Sequence, residues 1–204
     1  MGLFTELFKM GLKSKSEYID VTSSLDIEPF FTISKKVSIE TDIDIQILCS
    51  SDNLAHIKCF AIKNIDDGDI KIKVDSKDDV SVIKISLSGE VKNCNIVLYL
   101  PSIKNLMINS KTSDVHLNKC KTDACDVTTQ NGEILAQAVS FKSMDLNTKN
   151  GDISVFVNTV PIYYELHTTN GEKTVEKIKN NNKAKIKLKC FSGSGDILLK
   201  PYKS

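Results

Sequence analysis

The sequence predicts an all-β protein whose latter half winds as a single-stranded β-helix, or β-solenoid, of about five coils of 19–24 residues. Three observations carry this reading. A turn motif recurs at a nearly constant interval, apolar residues alternate with period two on both sides of it, and the turns hold residues that tolerate positive φ. Coils of like sequence stack in register as parallel ladders about 4.8 Å apart. A lone coil of this length cannot offset its own ordering entropy, so stacking is obligatory.

At the N-terminus, Met1–Lys15 places Leu3, Phe4, Leu7, Phe8 and Leu12 at helical spacing, with Glu6 and Lys9 on the other side. A short amphipathic helix with its connector is expected over residues 1–17. It would cap an open end of the fold, mediate self-association, or touch a membrane surface weakly through residues 3–12. The segment lacks the apolar core and cleavage site of a secretory signal, and Glu6 breaks the myristoylation pattern. No apolar run reaches the roughly 18–20 residues of a spanning helix, and the expected location is the cytoplasm.

Residues 18–204 read as one continuous β-domain, since no stretch rich in Gly, Pro or Ser divides it. Within it, residues 18–100 are expected to form irregular, partly antiparallel strands. Ile43, Ile45 and Ile47 alternate, as do Ile70, Ile72 and Val74; Val80 and Val82 precede Ile83, Ile85 and Leu87 with a slip of parity. Gly68 and Gly89 echo the later turns without matching upstream parity.

Residues 101–200 hold the regular coils. Ser113, Gly132, Gly151, Gly171 and Gly195 mark the same place in five segments, at intervals of 19, 19, 20 and 24 residues. The last interval is stretched by the polar run 179–183. Five residues before the mark stand Ile108, Val127, Leu146, Leu166 and Cys190; seven before stand Leu106, Cys125, Met144, Tyr164 and Leu188. Three before it comes a hydroxyl each time: Ser110, Thr129, Thr148, Thr168 and Ser192. Beyond the mark, apolar residues return at alternate positions, except that Lys173 takes an inward place in the fourth coil. The turns are built by Asn131–Gly132, Asn150–Gly151, Asn170–Gly171 and Ser194–Gly195.

Directly after the mark the residue is acidic in every coil: Asp114, Glu133, Asp152, Glu172 and Asp196. Stacked carboxylates either form a solvated edge screened by lysine or, as the sharper alternative, hold a hard cation. No other metal is expected, because the cysteines form no C-x-x-C pair and the histidines lack zinc-site spacing. Free thiols are expected for all six cysteines.

Composition narrows the function classes. All 27 basic residues are lysine and there is no tryptophan, whereas a nucleic-acid binder concentrates basic residues with arginine for bidentate contacts and aromatics for stacking. Only Lys173–Lys189 comes near that; its alternating lysines read as a solvated face, and no nucleic acid is expected. No phosphate-binding glycine motif and no nucleophile–base arrangement can be assembled, and no cofactor is expected. The outward acids Asp126, Asp145 and Glu165, with Lys142 and Lys149 nearby, supply the only alternative, a lyase or hydrolase acting on glycans.

The run IVLYLPSIKNLMINSKTSDVHL, followed by the NGEI, NGDI and SGSGDI turns, resembles the bacterial "putative adhesin" family of β-strand repeat domains of unknown function. The regular match covers roughly residues 95–200, with a looser one upstream to about residue 38. The resemblance implies a β-helix-like fold without known catalytic residues. The expected function is therefore a non-enzymatic interaction protein, binding a protein partner, a glycan or a second copy of itself.

Overall fold

A computed structural model describes residues 19–25, 30–51, 53–61, 69–87, 94–158 and 161–202. The helix expected over residues 1–17 lies outside the described residues, as do Gly68 and Gly89. The regular structure among the described residues is strand, apart from one 3-10 turn at Thr22–Ser24.

The strands in chain order are β1 (Ile19–Asp20), β2 (Phe30–Phe31), β3 (Lys36–Thr41), β4 (Asp44–Cys49), β5 (Ala55–Ala61), β6 (Ile70–Lys77), β7 (Val80–Leu87), β8 (Cys94–Leu100) and β9 (Ile103–Ser110). They continue as β10 (Val115–Asn118), β11 (Thr122–Asn131), β12 (Ile134–Gln137), β13 (Ser143–Asn150), β14 (Ile153–Val157), β15 (Tyr163–Asn170), β16 (Lys173–Val175), β17 (Lys187–Ser194) and β18 (Ile197–Pro201). They make two mixed sheets. One runs β1–β5–β8–β4–β10–β12–β14–β18–β16, with β2 beside β5; the other runs β15–β17–β13–β11–β9–β3–β7–β6.

Each regular coil gives one strand to each sheet, and every neighbouring pair from β7 through β15 and from β8 through β16 is parallel. The register is the one the turn motif dictates: Val127 lies beside Ile108 and Leu146, and Ile134 beside Val115 and Ile153. The inward columns fill a single core between the sheets, where Ile108, Val127, Leu146, Val115 and Ile153 are fully buried. Cys125 and Cys190 sit in those columns as small hydrophobes, their thiols pushed well above the ordinary range by burial.

Two features correct the expected winding. First, the coils do not stack in chain order. After β13–β14 the chain builds β15–β16 as the outermost rung, then returns through the stretched connection so that β17–β18 slots between the third and fourth coils. Lys173 explains the choice: an inward lysine is tolerable only where one side of the rung is open, and there it is exposed.

Second, the N-terminal half is more regular than expected. β3–β4 and β7–β8 are parallel rungs continuous with the later coils, and among the described residues antiparallel pairing is confined to β6 against β7 and to β1, β2 and β8 against β5. The slip of parity in β7 arises because the inward residue is Ser81, not Val80 or Val82. Its buried hydroxyl accepts the Ser34 N–H at 2.8 Å and pairs with the Ser76 hydroxyl at 2.8 Å, which offsets its desolvation.

Candidate functional site

The turn edge is where sequence motif and geometry meet most closely. At Gly132, Gly151, Gly195 and Gly171, in spatial order, a Cβ would fall 2.1–2.2 Å from the carbonyl oxygen of the preceding rung's marker residue. Glycine is needed for that approach, which lets the inner hydroxyls reach across rungs. Thr148 donates to the Gly132 carbonyl at 3.0 Å, Ser192 to Gly151 at 2.9 Å and Thr168 to Gly195 at 2.8 Å. On the outside, the Asn150 side-chain amide donates to Asn131 at 2.7 Å.

The acidic column has a backbone role. Asp114 accepts the Glu133 N–H, Asp152 accepts the Asp196 N–H and Asp196 accepts the Glu172 N–H, each at 2.8 Å. The column begins one rung earlier than the motif shows, with Asp44 accepting the Asp114 N–H at 2.9 Å. Where the acid is aspartate it reaches the next rung's amide, and the corner donors of Asp114, Glu133, Asp196 and Glu172 are thereby satisfied. Among the described residues, no group of three or more His, Cys, Asp or Glu side chains could hold a metal.

Asp44 also gives a pH prediction. Burial first, and the neighbouring Asp114 charge as well, hold its carboxyl above the ordinary value of 3.8, against the lowering effect of the Asp114 amide. The ionised form is thus disfavoured by folding. That cost is present at neutral pH and absent once both states are protonated, below about 3.8. Asp44→Asn keeps the oxygen that accepts the Asp114 N–H. It is expected to raise the thermal midpoint at pH 7, the gain vanishing by about pH 3; unfolding scans across that range check it.

The outward acids do not form the group the sequence alternative requires. Asp126 and Asp145 are neighbours in register, and Asp126 is held above its ordinary range by burial and by Asp145. Glu165, however, is two strands from Asp145, because β17 intervenes, and its carboxylate pairs with Lys189 at 3.2 Å. Lys142 pairs instead with Asp123 at 3.0 Å. His116 points outward as its parity demands, yet it is half-buried beside Asp114, Asp44 and Glu133; burial outweighs their charge and lowers its pKa. His167 is exposed and stacks on Phe191 with ring centroids 5.2 Å apart.

Two surface features were not singled out by motif. One is a cleft of about 460 Å³ on the outside of β5 and β8, lined by Asp20, Phe30, Cys49, His56, Lys58 and Tyr99. Phe30 meets the His56 ring edge-on at 5.3 Å, His56 meets Tyr99 at 4.4 Å, and the His56 Nδ1 is buried without a hydrogen-bond partner. The exposed faces of the rings can pack on an apolar ligand face. The alternation of Ala55–Ala61 announces the strand, but only pairing β5 with β8 brings His56 opposite Tyr99.

The other is the open rung β15–β16. Its inward Tyr164, Leu166 and Val175 are only half-buried, whereas their counterparts in the interior rungs are fully covered. One end of the edge is closed by the Asn180 side chain, which accepts the Tyr164 N–H at 3.1 Å and donates to the Tyr164 carbonyl at 2.9 Å, imitating a paired strand. Tyr163 bonds inward to Ile186, so by alternation the N–H and C=O groups of Leu166 and Thr168 point outward.

A family model described as Toastrack DUF4097 matches residues 9–203. A comparison with curated proteins gives no match. Among solved structures, a "putative cell adhesion protein" from Clostridium sporogenes is similar with a TM-score of 0.67 at 15% identity, covering 84% of this chain and 97% of its own. A "putative adhesin" from Bacteroides fragilis, at 12% identity, covers 91% of this chain and 97% of its own with a TM-score of 0.43. The first likeness shows the shared fold.

Proposed function

The chain belongs to the Toastrack DUF4097 family, and from that fold we propose a non-enzymatic, adhesin-like interaction protein that works as a β-solenoid, joining a second copy of itself through its open outermost rung, β15–β16. The observation that carries this is the incompleteness of β15–β16. In each interior rung the marker carbonyl receives a hydroxyl from the next rung and the apolar column is covered from both sides. In the outermost rung, Leu166 and Val175 keep one side open, and the outward amides of Leu166 and Thr168 offer a strand its ladder bonds. A second copy's outermost rung carries the same apolar column and closes both gaps at once.

Light scattering over a rising concentration series tests the reading. The wild-type chain is expected to approach twice the single-chain mass. Leu166→Lys, which puts an ammonium on the open side of the column, is expected to stay at one chain with unchanged far-UV circular dichroism. A wild-type mass of one chain at every concentration overturns self-association; loss of association on deleting residues 1–15 alone moves the contact away from this rung.

A further inference from the structure

Cys59 and Cys94 are the one pair of cysteines that the fold brings into contact among the described residues. Cys59 lies in β5 and Cys94 opens β8, on antiparallel neighbours in which Cys59 faces Ile96 and Ala61 faces Cys94. They are therefore diagonal on the same inward face, and their sulfurs stand 3.3 Å apart. Both are buried, at 0% and 6% exposure. Cys49, by contrast, is exposed, and Cys120, Cys125 and Cys190 are each enclosed in the core.

We propose that Cys59 and Cys94 are a redox pair that closes into a disulfide within the native fold when a low-molecular-weight disulfide is present. A disulfide needs its sulfurs about 2.05 Å apart, and diagonal neighbours stand near the outer limit of bridgeable spacing, so closure asks for rotamer adjustment together with a small shift of the Cys94 end of β8.

The chemistry balances as exchange. Cys94, the more exposed of the two, loses its proton and attacks the small disulfide, forming a mixed disulfide and releasing one small thiol. Cys59 then loses its proton, attacks the Cys94 sulfur and releases the second small thiol. Two protein S–H bonds are exchanged for one S–S bond, and the small disulfide is reduced to two thiols. The hydrogen bond with the adjacent Cys94 sulfur first, and burial after it, hold the Cys59 thiol well above its ordinary range, so this second step is the slow one.

Access comes from the edge. Cys59 is covered on its outer side by β1, a strand of two residues whose neighbours bond to it through the Val21 N–H and the Thr22 hydroxyl. So short a strand opens more readily than the interior ladders. The bond closes a loop spanning 35 positions that contains β6 and β7, tying the first antiparallel strands to the parallel stack.

The test uses the full native chain incubated with oxidised glutathione, then alkylated and cut after lysine without reduction. Cleavage at Lys58, Lys63, Lys92 and Lys104 places the two cysteines on separate peptides, 59–63 and 93–104. These are expected joined, about 2 Da below the sum of the reduced pair. The thermal midpoint is expected to rise by roughly 5–10 °C and to return on adding a dithiol. Cys94→Ser is expected to show neither change. Alkylation of both cysteines as free thiols, or a crosslink that appears only after unfolding in denaturant, overturns the proposal.

Discussion

Gly151→Ala is expected to destabilise the protein by about 3–5 kcal/mol, a loss read as a fall of roughly 6–20 °C in the thermal midpoint. The added Cβ would stand 2.2 Å from the Gly132 carbonyl oxygen and 2.7 Å from its carbon, both backbone atoms held on each side by ladders. Nothing flexible can yield, so the third coil must move away from the second. That movement strains the Thr148–Gly132 bond, and on the other side the Gly151 N–H to Ser194 and the Ser192 hydroxyl to Gly151. Ser113, in the same column, gives the opposite expectation. Its side chain is already accommodated and its hydroxyl is buried without a partner, so Ser113→Ala is expected to be neutral or mildly stabilising. Denaturant midpoints of the two variants separate a corner that demands glycine from one that merely holds a small residue.

The same column shows what was legible in the sequence and why. Stacking repeats every contact at each rung, so a requirement such as glycine at the corner, hydroxyl three before it and acid after it is written once per coil. The register of Val127, Leu146 and Cys190 followed directly from those columns. The β3–β4 rung escaped the pattern for a local reason: Thr41 aligns with Ser110 and Ile45 with Val115, so its turn is one residue shorter. Thr41, Asp44, Ile45 and Ile47 then hold the hydroxyl, acidic and apolar places out of step with the motif. Strand order is a different matter. Whether the fifth coil lies beyond the fourth or behind it depends on which two surfaces bury best, and both arrangements satisfy the same columns. The inward Lys173 and the longer final interval were the available signals. The aromatic cleft was hidden further still, since Phe30, His56 and Tyr99 lie on three strands that meet only through pairing.

The order of the last rungs leads to a second large effect. A chain ending at Lys185, which loses β17 and β18, is expected to lose hydrogen-exchange protection over Tyr163–Asn170 as well as its cooperative unfolding transition. Were the coils stacked in chain order, that truncation would remove an end piece and leave β15–β16 on β13–β14. In the observed order it removes an interior rung, because β15 is paired only with β17 and β16 only with β18 among the described strands. Leu188, Cys190, Ile197 and Leu199 are each within 3% of full burial. At about 1.5–3 kcal/mol for each large apolar side chain, their loss consumes most of a stability of about 5–15 kcal/mol. The fourth coil is poorly suited to drop into the vacated place. There Lys173 would take the position that Ile197 holds beside Ile153, sending an ammonium into the core column. Exchange measured residue by residue decides the matter: protection retained at Glu165 and His167, whose amides face β17, contradicts the intercalated order after truncation, while its loss together with weakened protection at Leu146 follows from it.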